Sequence, residues 1–257
     1  MTVFSELIAS DFPIVLTDDW LQGRTAYGGL SAALCVEAAR RAVPDLPPLR
    51  SAQFTFIGPA SGPLSVEAKV LRQGKSAVFV SVDLSGDAGI ATHALLSFGV
   101  ARSSVISRQT LAMPKVKPIG DSESFFTGDR PLINFQRHFE SRFAGGARPF
   151  SPGADPEYLI WFRHRDEAAR EGIVPLVALA DAPPPAAMVI FPQPAPISTI
   201  TWSLDLLSES PTTNDGWWLV RSTAEIAHQG YSTQTMVIWN TDGEPVASAR
   251  QNVAIFL

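Results

Sequence analysis

The feature that most constrains the fold is an approximate internal repeat of strand-rich sequence. The segment SVEAKVLRQGKSAVFVSVDLSGDAGIATHALLSFGVA can be aligned, without an internal gap, with the later segment LVRSTAEIAHQGYSTQTMVIWNTDGEPVASARQNVAIF when glycines are matched. Gly74 then aligns with Gly230 and Ala91 with Ala247, at a constant offset of 156 (230 − 74). Both segments alternate apolar and polar residues between turn residues, which is typical of antiparallel strands. The repeat predicts two copies of one unit fused in tandem; the alternative is chance similarity between two β-rich segments.

The first copy is preceded by a predicted helix. Residues 29–42 are rich in Ala and Leu and end in two arginines, which favour the C-terminal end of a helix. Strand-like runs follow at 51–58, 64–74, 76–86 and 89–101. One helix followed by several antiparallel strands predicts an α+β fold. We expect an N-terminal unit at residues 1–110, a linker at 111–125 and a C-terminal unit at 126–257.

Composition narrows the class of protein. The 257 residues are 46% hydrophobic and 18% charged, enough to bury a sizeable core. The net charge is −5 and no run of Lys or Arg stands out, so we expect no nucleic-acid partner and no electrostatic membrane docking. The N-terminus lacks the basic start of a secretory signal. A single cysteine, Cys35, fits a reducing compartment, so the predicted location is the cytoplasm.

One long stretch contains a single charged residue. Residues 173–204 carry only Asp181 among alanines, valines, prolines and aromatics. Residues 182–204 are uncharged over a length that could cross a membrane, but six prolines exclude a membrane helix there. A buried carboxylate is costly unless it is hydrogen-bonded, exposed or used in chemistry. The bland alternative is an exposed loop Asp that precedes a proline turn.

The colinear order of several segments resembles a known family. YGGLSAALCVEAARRA, LRSAQFTF and VEAKVLRQGKSAVFVSV resemble the N-terminal half of acyl-CoA thioesterase II-type proteins, and the segment from ISTITWSLDLL onwards resembles their second half. The match covers most of the chain, although residues 103–170 are only loosely similar. The resemblance implies a double hotdog, in which each of two tandem units wraps an antiparallel sheet round a long helix. It also implies an enzyme that hydrolyses acyl-CoA thioesters.

The family's hydrolytic site is an Asp, a Thr and a Gln that hold a water. The resemblance places these at Asp181 in LALADA, Thr199 in TIT and Gln251 in VASARQ. These residue types suit the chemistry, because a carboxylate can accept a proton from water while hydroxyl and amide groups fix that water without neutralising the carboxylate. The offset of 156 places Leu95 opposite Gln251, so we expect one catalytic centre per chain. For Gln251 alone, the alternative is a polar residue on the solvent face of a terminal strand.

The glycine-rich entry to the predicted helix is a candidate substrate-binding element. Tyr27, Gly28 and Gly29 could allow close backbone approach, and helix-start N–H groups could meet an oxyanion, although the glycines could equally serve packing. The family pattern is altered at three places, where this chain has Leu30, Gln53 and Thr201 instead of Gln, His and Asp.

Other chemistries lack support. The four histidines show no metal-binding spacing, and no GxSxG, P-loop or GxGxxG motif is present, so we expect no metal and no cofactor. Sheets of this type need their edges covered, so a homo-oligomer is expected. Two functions stay open: an acyl-CoA thioesterase that uses direct water attack, and a non-catalytic acyl-thioester-binding or assembly protein of the same fold.

Overall fold

A computed structural model describes residues 1–126 and 133–257. Its helices are α1 (Phe4–Ala9), α2 (Gly28–Ala42) and α3 (Ile173–Ala180). In chain order its strands are β1 (Ile14–Val15), β2 (Leu21–Gln22), β3 (Thr25–Ala26), β4 (Leu49–Phe56), β5 (Pro63–Gln73), β6 (Ala77–Gly86), β7 (Gly89–Gly99), β8 (Phe139–Gly146), β9 (Glu157–His164), β10 (Ile197–Leu206), β11 (Trp218–His228), β12 (Tyr231–Trp239) and β13 (Pro245–Ile255). The predicted α+β class is confirmed.

A single antiparallel sheet joins the two halves of the chain. Its strand order is β1-β5-β6-β7-β4-β10-β13-β12-β11-β9-β8, and β2 pairs separately with β3. The halves meet where β4 pairs with β10, for example Thr55 with Thr201 and Gln53 with Ser203. This pairing runs over five residue pairs, from Thr55–Thr201 to Ser51–Asp205, and makes the ladder continuous between the halves.

Helices α2 and α3 pack against each other and lie on one face of the sheet. Helix α2 suits this position because its small residues allow close approach, and Leu30, Leu34 and Cys35 are completely buried. Helix α3 has only eight residues, fewer than the fifteen of α2. It begins after Gly172, whose φ of 96° favours glycine, and three prolines soon after Asp181 prevent its continuation. The second helix is therefore short.

The two halves repeat the same irregularities of strand pairing. An extra residue interrupts β4 at Arg50 and β10 at Ile200, β5 at Leu71 and β11 at Glu225, and β7 at Ala91 and β13 at Val246. Because each bulge marks a fixed position in its strand, the bulges can be used to align the strands of one half with those of the other. They confirm that the chain contains two copies of one sheet unit.

The bulges also correct the register of the repeat. They relate β5 to β11 by 154 residues and β7 to β13 by 155, instead of the predicted 156. Gln251 is therefore equivalent to Leu96, and not to Leu95 as predicted from the sequence. The error arose because Gly74 and Gly230 occupy different positions in their turns. A shift of one residue matters, because successive strand residues face opposite sides of the sheet.

The segment that precedes β8 packs on the outer face of the C-terminal half of the sheet. The indole N–H of Trp239 donates to the carbonyl of Leu111 at 2.8 Å, and that of Trp161 donates to the carbonyl of Lys117 at 3.0 Å. Met113 packs among the same aromatic residues. We call residues 111–119 the outer strap. The division of the chain at a linker of residues 111–125 stays a prediction.

In the described ranges, no helix is long and apolar enough to span a membrane. The proline-rich residues after Asp181 instead form a short 3-10 helix at Ala186–Ile190 and then enter β10.

Candidate active site

A cavity of about 960 Å³ lies next to the first turn of α2 and the segment that follows α3. Asp181, Thr199 and Gln251 all line it, together with Gly28. These residues come from a helix end, two strands of the second half and a helix start of the first half. The fold therefore brings the three predicted catalytic residues to one cavity.

A bulge directs Thr199 towards this cavity. Trp202 and Leu204 of β10 are buried on the inner face, so regular alternation would turn residue 200 inward and residue 199 outward. The extra residue Ile200 between Thr199 and Thr201 changes that alternation. Gln251 lies opposite Trp202 on the neighbouring strand β13 and is also buried.

Asp181 follows the last residue of α3, and its carboxylate faces the start of α2. Gln251 donates its Nε2–H to Asp181 Oδ1 at 2.5 Å. The backbone N–H of Gly29, at the positive end of the α2 dipole, also donates to this carboxylate. The side chain is half-buried and lines the cavity.

Burial raises the pKa of the Asp181 carboxyl from 3.8 to about 7, although the hydrogen bonds from Gln251 and Gly29 act in the opposite direction. Near neutral pH the group is therefore present in both protonation states. A carboxylate with this pKa is a far better proton acceptor than an exposed one, because base strength is then matched to the operating pH.

The glycines at the start of α2 are required by close packing. A Cβ atom at residue 28 would lie 2.8 Å from Asp181 Oδ2 and 3.4 Å from the Phe56 ring. A Cβ atom at residue 29 would lie 2.5 Å from the carbonyl oxygen of Ala178. Gly28 therefore leaves room for the carboxylate, and Gly29 lets α2 approach α3.

Tyr27 lies behind the cavity wall. Its hydroxyl donates to the Ala178 carbonyl at 2.5 Å, and its ring stacks on Phe135 with centroids 4.1 Å apart. Among the described residues, neither Tyr27 nor Gly29 is part of the cavity lining. Both residues instead fix the start of α2 relative to the end of α3.

The sequence did not single out Gln234, which is 1% exposed on β12 directly opposite Gln251. Gln234 Nε2 donates to Gln251 Oε1 at 2.5 Å, and its own Oε1 accepts from the backbone N–H of Ala186 at 2.7 Å. Only the register of β12 against β13, which the sequence analysis did not predict, could have paired the two glutamines.

The aromatic lining of the cavity was also not predicted. Five phenylalanine side chains contribute to it: Phe56, Phe125, Phe126, Phe135 and Phe150. Pro183, Pro184 and Pro185 add a rigid apolar wall next to Asp181. These surfaces suit an apolar group bound beside a single carboxylate.

The three departures from the family pattern lie elsewhere. Leu30 is completely buried in α2, whereas Gln53 and Thr201 are exposed on the outer face of the sheet. Across residues 1–126 and 133–257, no three His, Cys, Asp or Glu side chains are grouped as metal ligands would be.

Two family models match the sequence. The acyl-CoA thioesterase N-terminal domain matches residues 16–99, and the acyl-CoA thioesterase C-terminal domain matches residues 114–255. No curated protein matches the sequence significantly.

Solved structures show the same fold over nearly the whole chain. A hotdog-fold protein of unknown function from Alicyclobacillus acidocaldarius is 24% identical, with a TM-score of 0.86 over 99% of this chain and 98% of that one. Acyl-CoA thioesterase II TesB2 from Mycobacterium marinum is 20% identical, with a TM-score of 0.72 over 90% and 89%. A TesB protein from Mycobacterium avium subspecies paratuberculosis is 18% identical, with a TM-score of 0.73 over 90% and 88%. The predicted double hotdog is confirmed.

Proposed function

We propose, from the premise that the chain belongs to the acyl-CoA thioesterase family, that it hydrolyses acyl-CoA by direct attack of water at Asp181. The observation that carries this proposal is the convergence of Asp181, Thr199 and Gln251 on one apolar cavity. The raised pKa of Asp181 supports a role as general base.

In this mechanism, Asp181 takes a proton from a water as the water oxygen bonds to the thioester carbonyl carbon. Thr199 and Gln251 help to hold that water, because both offer hydrogen bonds without carrying charge. The tetrahedral intermediate then breaks its carbon–sulfur bond. The proton on Asp181 passes to the departing CoA sulfur, leaving a free acid, CoA thiol and the original carboxylate.

The start of α2 is the proposed oxyanion site. The first N–H groups of a helix have no carbonyl partner one turn earlier, and the helix dipole favours negative charge there. Gly28 belongs to this first turn and lines the cavity. In this proposal Tyr27 and Gly29 serve substrate binding indirectly, by fixing where that turn lies. The phenylalanine-lined wall receives the acyl group.

The test compares the wild type with Asp181→Asn on a panel of acyl-CoAs, with release of free thiol as the readout. The substitution keeps the shape and removes the base, so we expect kcat to fall by about 10²-fold or more. Thiol release that survives the substitution would overturn the site. Tight binding of acyl-CoA without turnover by the wild type would favour the non-catalytic acyl-thioester-binding or assembly protein.

We also propose a homo-oligomer that works in the cytoplasm. In the described residues β1 pairs with only two residues at one end of β5, so most of that edge of the sheet is uncovered by its own chain. An uncovered edge favours association with a second copy. The single cysteine is buried, as suits a reducing compartment. Light scattering on the purified protein tests the oligomer; a monomer at all concentrations would refute it.

A further inference from the structure

A chain of hydrogen bonds leads from the backbone to the carboxylate of Asp181. The N–H of Ala186 donates to Gln234 Oε1 at 2.7 Å, and Gln234 Nε2 donates to Gln251 Oε1 at 2.5 Å. Gln251 Nε2 then donates to Asp181 Oδ1 at 2.5 Å. The two glutamines lie opposite each other on β12 and β13, which fixes their spacing.

The direction of this chain is set at its backbone end. A side-chain amide can exchange its oxygen and nitrogen by rotation, but a backbone N–H can only donate. Ala186 therefore fixes Oε1 of Gln234, and the amide nitrogen of Gln234 must face Gln251 and the sulfur of Met236. Gln251 must then offer its oxygen to Gln234 and its N–H to Asp181.

The opposite orientation of Gln251 is strongly disfavoured. It would place Oε1 of Gln251 against the Asp181 carboxylate and its NH₂ against the NH₂ of Gln234. The first contact would be repulsive while Asp181 is ionised, and the second in either protonation state. Both glutamine side chains are almost completely buried, so water cannot replace the lost partners. Without Gln234, only Asp181 itself would orient the Gln251 amide, and that amide could follow either protonation state.

We propose that Gln234 is a positioning residue that keeps Gln251 as a hydrogen-bond donor to Asp181. This inference rests on the proposed function of Asp181 as the base. Donation from Gln251 stabilises the ionised carboxylate, the form that can accept a proton. Gln234 thereby sets the fraction of the protein that is ready to react near neutral pH, without touching the substrate.

The test replaces Gln234 with Met, which keeps the length and removes both donor and acceptor, and separately with Leu. Ser232→Ala is the matched control, because Ser232 is also 1% exposed on the same face of β12. Ser232 takes no part in the hydrogen bonds that lead from Ala186 to Asp181. The measurement is kcat/KM as a function of pH. The wild-type rate should rise with pH through the Asp181 pKa, since the carboxylate is the active form.

For both Gln234 variants we expect this rise to move to higher pH by roughly one unit, so activity at pH 6 falls about tenfold while the high-pH plateau is largely kept. KM should change little, and Ser232→Ala should keep the wild-type midpoint. A uniform loss of activity with an unchanged midpoint would show that Gln234 only supports the fold, and would overturn the proposal.

A second measurement separates this inference from the proposed function. The Asp181 carboxyl can be titrated by carbon NMR with labelled aspartate, using Asp181→Asn to assign its signal. A higher Asp181 pKa in Gln234→Met than in wild type supports the positioning role even if no acyl-CoA is hydrolysed. An equal pKa in the two proteins overturns that role even if hydrolysis is efficient.

Discussion

The two halves of the sheet have the same bulges but different chemistry at equivalent positions. When the two halves are aligned by their bulges, Leu49 corresponds to Thr199, Val80 to Gln234 and Leu96 to Gln251. The three residues of the first half are apolar and buried. Their counterparts in the second half are polar, and two of them are almost completely buried.

This difference separates what the fold requires from what the site requires. The first half shows that apolar residues fill these places well. Burying an amide there costs free energy unless its hydrogen bonds are made. In the second half those bonds are made, and they lead to Asp181. Both halves therefore keep the same sheet and bulges, whereas the hydrogen-bonded glutamines that lead to Asp181 lie only in the second half among the described residues.

The largest expected effect among these changes comes from filling the space between Gly28, in the first half, and the Asp181 carboxylate, in the second half. Gly28→Ala should lower kcat/KM by about 10²-fold, because the new Cβ would press on the Asp181 carboxylate and displace it from its donors. Gly120→Ala is the control, since nothing lies within 4 Å of a Cβ there. Wild-type kinetics in Gly28→Ala would show that the new Cβ does not displace the Asp181 carboxylate.

Exchanging residues between the halves tests their comparison directly. Leu96→Gln should lower the free energy of unfolding by about 1–3 kcal/mol. The equivalent of Gln234 in the first half is Val80, which cannot form a hydrogen bond with a buried amide at residue 96. The reverse change, Gln251→Leu, should lower kcat/KM by about tenfold or more, because it removes the donor to Asp181, whereas Leu96→Gln should leave kcat/KM close to the wild-type value. Chemical denaturation and thiol release measure the two effects. Equal losses of kcat/KM in both variants would remove the distinction between the halves.

A smaller effect concerns pH and stability. Because the folded-state pKa of Asp181 lies near 7 and the unfolded value near 3.8, the folded protein binds the extra proton between these pH values. Wild-type stability should therefore fall as pH rises from about 4 to about 7 relative to Asp181→Asn. Thermal melts at pH 4 and pH 8 should show the variant gaining several degrees over wild type at pH 8 only. A constant difference at both pH values would argue against the raised pKa.

Much of the fold was predictable because its signals are local. The helix predicted at residues 29–42 is α2, and the strands predicted at 51–58, 64–74, 76–86 and 89–101 are β4 to β7 within a few residues. Alternation, turn residues and helix formers act over short distances, so one sequence carries them.

The site was only partly predictable because register is not local. The family resemblance supplied Asp181, Thr199 and Gln251, but their meeting depends on the bulge at Ile200 and on the pairing of β10 with β13. Gln234 was missed because alternating sequence looks the same after a shift of two residues. The raised pKa of Asp181 depends on burial by distant segments, which no local pattern encodes.

The outer strap has a consequence for assembly. Residues 111–119 cover the aromatic outer face of the C-terminal half, and two tryptophan N–H groups hold the strap there. The corresponding face of the N-terminal half carries polar residues instead, such as Asp83 paired with His93. A neighbouring molecule thus meets a ribbon of irregular chain on one half and bare strands on the other. The two halves therefore offer a neighbouring molecule different contacts. A closed assembly of this protein would repeat whole chains and would not use the two halves as equivalent units.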